Sequence, residues 1–140
     1  MPADLYLLQA MAPDGVETIV GGKRDASFGP VVMFGLGGVF VEILKDVSLR
    51  IAPIDEARAL EMLAATRGSA LLQGARGAAR ADVGSLVKVL VQVSRLMHEH
   101  PEVASFDINP LRIFREGAGC LALDVKIGTR EAPAGSAERS

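Results

Sequence analysis

Two segments near the end of the chain constrain its fold most. Residues 105–111 (Ser-Phe-Asp-Ile-Asn-Pro-Leu) and 120–127 (Cys-Leu-Ala-Leu-Asp-Val-Lys-Ile) each alternate polar and apolar side chains. That is the period of a half-buried strand. The run Arg115-Glu116-Gly117-Ala118-Gly119 between them is turn-forming. A hairpin centred on Glu116-Gly117 sets Asn109 opposite Asp124 and Asp107 opposite Lys126. Phe106, Ile108, Leu121, Leu123, Val125 and Ile127 then fall on the other face, which is expected to join the core. The polar face carries two carboxylates, an amide and an ammonium, with cross-strand neighbours roughly 5 Å apart. Magnesium prefers hard oxygen ligands and is often held by one or two protein oxygens. Asn109 and Asp124 offer that donor set. A solvated face with an Asp107–Lys126 ion pair, worth little energetically, fits the spacing equally well.

The rest of the chain bounds the problem. At 140 residues with 49% hydrophobic content, a single domain with a sizeable core is expected. A net charge of −2 leaves no basic footprint for nucleic acid. The single cysteine, Cys120, excludes an internal disulfide framework and suits a reducing, cytoplasmic setting. On the hairpin register Cys120 shares the polar side but lies far down the strand, so it is read as packing. No apolar run is long enough to span a bilayer, and the N-terminus does not read as a signal peptide.

In chain order, residues 5–11 read as a short strand and Pro13-Asp14-Gly15 as a turn. Residues 16–25 read as a second strand in which Gly21-Gly22 marks a bulge. Residues 30–34 form a buried-strand run. The glycine cluster Gly35-Leu36-Gly37-Gly38 follows a strand, as phosphate cradles do. No Ser, Thr or Lys opens a helix after it, so it is neither a Walker loop nor a dinucleotide fingerprint. Residues 39–44 continue as a strand. Val47, Leu49 and Ile51 alternate with Ser48, Arg50 and Ala52, so Arg50 projects from the polar face of a strand. Its planar fork suits phosphate, which makes it the candidate for neutralising charge in catalysis. The alternative is a surface ion pair with Glu42 or Asp46, and Lys45 is read as a solvated turn residue.

Asp55 is a good N-cap for a helix over residues 57–66, with Leu60, Leu63 and Ala64 on one face. Residues 69–81 read as a mobile surface loop carrying a short Ala70-Leu71-Leu72 peg. Asp82 caps a longer helix, residues 83–100, with Val83, Leu86, Val87, Leu90, Val93 and Met97 as its apolar stripe. His98 and His100 are two apart and do not share a helical face, which argues against a metal site there. Strands, two helices and a final hairpin give an α+β fold, a largely antiparallel sheet covered by two helices. Residues 1–128 are taken as one unit and 129–140 as a flexible tail.

Four stretches together resemble the C-terminal half of the ATP-grasp domain of ADP-forming acyl-CoA synthetases, relatives of the succinyl-CoA synthetase beta subunit. They are Phe-Asp-Ile-Asn-Pro-Leu (residues 106–111), Leu-Asp-Val-Lys-Ile-Gly (123–128), Lys-Arg-Asp-x-x-Phe-Gly-Pro (23–30) and the long run from Gly29 to Pro53. The resemblance implies that Asn109 and Asp124 hold the magnesium of ATP. It implies that Gln9, Ala10 and Met11 form an adenine-binding hinge, and that Glu17 of Gly15-Val16-Glu17 binds the ribose hydroxyls. A plain outward strand residue is the other reading of Glu17. The family also uses a phosphorylated histidine, but no motif carries that role onto His98 or His100.

Relative to that family the chain starts at the hinge, so the phosphate-gripping first half of the ATP-grasp domain and the CoA-binding domains are expected on a partner domain or chain. The implied function is the ATP/ADP- and Mg2+-binding half of an acid–CoA ligase, inactive alone. The alternative is a non-catalytic assembly module, a homo-oligomer or subunit docking through the exposed sheet. A truncated relic without activity is a third reading.

Overall fold

The computed structural model describes residues 14–37, 46–74 and 79–130. The expected strands at 5–11 and 39–44, the residues Gln9, Ala10, Met11, Gly38, Glu42, Lys45 and Arg76, and positions 131–140 lie outside them. The described residues build one antiparallel sheet of six strands. These are β1 (Val16–Asp25), β2 (Gly29–Leu36), β3 (Val47–Ile51), β4 (Val103–Ile113), β5 (Cys120–Ala122) and β6 (Val125–Thr129). Their order is β3-β2-β1-β4-β5, with β6 also paired to β4. Two helices, α1 (Glu56–Ala64) and α2 (Val83–Glu99), cover one side. The α+β expectation holds. No described helix is long and apolar enough to cross a membrane.

Local chemistry explains the helix ends. Asp55 Oδ1 accepts from Arg58 N at 2.8 Å and Asp82 Oδ1 from Ser85 N at 3.2 Å, so both expected N-caps form. The stripe of α2 is buried as its spacing requires, through Leu86, Val87, Leu90, Val93 and Met97. Ser94 joins it because its Oγ accepts from Ile54 N and donates to the Val91 carbonyl, so no buried hydroxyl is orphaned. At the other end of α2, the Arg24 guanidinium donates to the carbonyls of Met97, His100 and Val103. It satisfies helix-end acceptors that would otherwise need water. Gly22 lies beneath α2, where a Cβ would stand 2.5 Å from Met97 Cγ. Gly22 thus marks the close approach of a helix, and the register runs unbroken through both glycines, so they mark no bulge.

Three other expectations are corrected. Helix α1 buries Ala59, Met62 and Leu63, while Leu60 is half exposed. A short helix has too few turns for its stripe to fix which side meets the sheet. The peg at residues 70–72 is structural. A 3-10 turn spans Arg67–Leu71, and Leu72, 1% exposed, belongs to the core cluster. Asp46 holds the start of this turn, its carboxylate accepting from Arg67 N at 2.6 Å and Gly68 N at 2.8 Å. Finally, Thr129 is still in β6, and Arg130 N donates to the Glu102 carbonyl. The ordered unit therefore extends past residue 128.

Candidate functional site

The hairpin has the register expected from its turn. Asp107 pairs with Lys126, Ile108 with Val125, Leu111 with Ala122 and Ile113 with Cys120. The turn closes with Ala118 N donating to the Arg115 carbonyl, and Gly117 and Gly119 adopt positive φ there. Asp82 secures it from below, its Oδ2 accepting from Gly119 N at 2.8 Å. That bond, with the one from Ser85 N, holds the Asp82 carboxyl below its ordinary value.

The assignment of sides is corrected. Against β1 the pairing runs Val20–Ile108 and then Thr18–Leu111, so β4 carries one extra residue at Asn109-Pro110. Proline has no N–H to give the ladder, and the register slips there. The Thr18 hydroxyl, fully buried, donates to the Leu111 carbonyl beside the irregularity. Past this point the alternation changes parity. Leu111 and Ile113 turn toward the helices and are buried, whereas Leu121 and Leu123 are exposed. Val125 and Ile127 lie on the helix side but stay exposed. They belong to a strand outside β1, β2 and β4, on which α2 rests. Cys120, opposite buried Ile113, packs on the core and does not share the side of the polar cluster. Burial, and then the nearby Asp82 charge, pushes its thiol pKa up.

Counted from buried Ile108, before the slip, Asn109 falls on the side away from the described helices. Its partner Asp124 does the same, counted from Val125. Asn109 N donates to the Asp124 carbonyl at 3.0 Å, so the two residues stand directly opposite, and both are exposed. Among the described residues neither side chain has a hydrogen-bond or ion-pair partner, and the same holds for Asp107 and Lys126. The register sets Asp107 and Lys126 across from each other, but no ion pair joins them. No described cluster of three or more His, Cys, Asp or Glu forms a metal cage. The amide and carboxylate pair is the hard-oxygen set that this face offers, and it fits an ion that keeps most of its waters.

Glu17 lies on the same helix-free side, at an odd separation from buried Val20. It pairs across the ladder with Arg112, whose Nη2 donates to Glu17 Oε1 at 2.8 Å. Arg112 was not legible as a site residue, because its partner is 95 residues away in sequence. Gly37 N donates to the Glu17 carbonyl, so that part of the glycine cluster continues sheet pairing.

Arg50 is not brought to this group. It stands opposite buried Val32, on the helix side of β3, two strands beyond β1, and donates to Ser48 Oγ and the Leu49 carbonyl. Small Ser48 and Ala52 are buried on the helix side, and Val47, Leu49 and Ile51 face outward. The alternation of β3 was right, but the side given to the core was inverted. A concave region of about 1080 Å3 runs from Asp107 and Lys23 over Met33 and Leu49 to Phe28. This side thus carries Asp107, Lys126 and Arg112 beside exposed Leu121 and Leu123 toward β4–β6, and Met33, Leu49 and Ile51 toward β3.

Residues 3–128 match the family of ATP-grasp domains. The beta subunit of the ADP-forming acetate–CoA ligase I of Pyrococcus furiosus is 46% identical over 127 residues, covering 89% of this chain and 54% of that subunit. The ADP-forming acetate–CoA ligase I of Archaeoglobus fulgidus is 45% identical over 122 residues, covering 87% of this chain and 18% of the ligase. An acetyl-coenzyme A synthetase of Ca. Korarchaeum cryptofilum, solved with coenzyme A and Mg-AMPPCP, superposes with a TM-score of 0.80 at 42% identity. The match covers 85% of this chain and 55% of that one. The chain spans about half the length of that subunit and that structure, and less than a fifth of the longer ligase.

Proposed function

We propose, from the premise that the chain belongs to the ATP-grasp domain family and is homologous to ADP-forming acetate–CoA ligases, that it is the nucleotide- and magnesium-binding half of an ADP-forming acyl-CoA synthetase. Such an enzyme joins an acid and CoA at the expense of ATP, releasing ADP and phosphate. The observation that carries this reading is the pairing of exposed Asn109 with exposed Asp124 across the hairpin.

Asn109 and Asp124 would hold Mg2+, whose charge, when bound, offsets that of the nucleotide phosphates. Gln9, Ala10 and Met11 would meet the adenine through backbone groups, and Glu17 would accept the ribose hydroxyls. Arg50, two strands beyond β1, lines the concave region that also reaches Asp107 and would meet phosphate charge only from there. Phosphoryl transfer depends on positioning and charge neutralisation from all sides. A single face of a closing site therefore binds Mg-nucleotide weakly and catalyses little alone. The partner would be a domain or chain supplying the opposite wall and the CoA site. The homologous Korarchaeum structure holds Mg-AMPPCP, which supports the nucleotide assignment.

The test is a calorimetric titration with Mg-ADP of the wild type against Asn109→Ala. Loss of the magnesium-dependent part of binding is expected, about tenfold. Equal curves for the two proteins would remove the metal assignment. A second reading, a non-catalytic assembly module, is favoured by the exposed row Val47, Leu49 and Ile51 and by Phe28, which is 65% exposed. Under that reading, sedimentation shows a tight homo-oligomer that does not respond to nucleotide.

A further inference from the structure

Glu17 is held from two neighbouring strands. Its carbonyl accepts from Gly37 N at 2.8 Å, and its Oε1 accepts from Arg112 Nη2 at 2.8 Å. Arg112 is the more sheltered partner, its side chain 20% exposed against 42% for Glu17. The stem of Arg112 runs past Gly15. A Cβ at position 15 would stand 2.9 Å from Arg112 Cγ and 2.5 Å from the Ile113 carbonyl oxygen. Glycine at 15 therefore makes the room in which the arginine lies. The Gly-x-Glu of residues 15–17 and Arg112 form one assembly, although they are far apart in sequence.

A carboxylate that must be ordered by its ligand loses rotamer freedom on binding, whereas one already fixed does not. Here Arg112 engages Oε1. Oε2 has no hydrogen bond among the described residues. We propose that Arg112 is a positioning residue that fixes the Glu17 carboxylate so that its second oxygen accepts a hydroxyl of the nucleotide ribose. The inference rests on the reading of Glu17 as the ribose acceptor. Arg112 acts through Glu17, and its contribution appears only with ligands that carry those hydroxyls.

The test compares Mg-ADP with Mg-2′,3′-dideoxy-ADP on the wild type, Glu17→Gln, Arg112→Met and Arg112→Lys, with a thermal melt of each. Methionine keeps the packed stem and removes the guanidinium. Arg112→Met is expected to lower ADP affinity about fivefold, the worth of one side chain's rotamer freedom. Dideoxy-ADP affinity should stay unchanged, and Arg112→Lys should recover part of the loss. In Glu17→Gln the preference for ADP collapses. If Glu17→Gln collapses the preference and Arg112→Met leaves it intact, the positioning role is overturned and the ribose reading stands. Equal weakening for both nucleotides in Arg112→Met, with a lowered melting temperature, also overturns it, since a merely structural residue behaves that way. If Glu17→Gln leaves the preference untouched, or no nucleotide binds, the ribose reading falls and takes this inference with it.

Discussion

Leu60 and Leu72 offer the sharpest test of the fold, because sequence pattern and structure rank them in opposite order. Periodicity puts Leu60 on the inner face of α1 and Leu72 in a surface loop. The structure leaves Leu60 50% exposed and Leu72 1% exposed. Replacing Leu72 by alanine removes three buried carbons, about 2 kcal/mol of transfer free energy. The cavity cannot close easily, because the backbone is tied on both sides. Leu72 N donates to the Ser69 carbonyl and Ala81 N to the Leu72 carbonyl, each at 3.0 Å. A cavity term of about 1 kcal/mol is therefore added, giving about 3 kcal/mol for Leu72→Ala. For Leu60→Ala half the transfer is already forgone, no cavity forms, and alanine is the better helix former, so the cost is about 1 kcal/mol or less. Urea unfolding followed by far-UV circular dichroism measures both, with the slope checked for constancy. A Leu72→Ala midpoint within about 0.5 kcal/mol of wild type, or a larger loss from Leu60→Ala, would refute the placement of Leu72 in the core.

Two further outcomes follow from close contacts and from charge. Gly22→Ala is expected to cost about 1–3 kcal/mol because its Cβ would meet Met97 Cγ at 2.5 Å. In a double-mutant cycle with Met97→Ala the combined cost should fall well short of the separate costs, and strict additivity would speak against the contact. Asp82 has a folded-state pKa below its unfolded value, from the Gly119 and Ser85 amides. Its contribution is present above the unfolded pKa, about 3.9, and is lost as pH falls through the lower folded value. Asp82→Ala should therefore be less stable than wild type at neutral pH, with the difference narrowing below about pH 4. Parallel stability–pH curves over that range would contradict the latch.

Much of this structure could be read from neighbouring residues. The bounds of β1, the N-caps Asp55 and Asp82, the stripe of α2 and the pairing of Asn109 with Asp124 all follow from local chemistry. A turn dictates the register of its own hairpin, and a cap answers only the amides one turn away. Alternation shows that a strand has two sides but not which side meets a helix. On β3 only the position of the helices tells that Ser48 is inside and Leu49 outside. On β4 the pairing with β1 imposes the slip at Pro110 that moves Leu121 and Leu123 outward and Cys120 inward. The Glu17–Arg112 pair belongs with these, since it exists only after β1 and β4 have met. Residue order determined the elements and their caps. Long-range strand pairing and the one-sided cover of helices decided which side chains share a surface, because a side chain's neighbours across a sheet are set by backbone hydrogen bonds to distant strands.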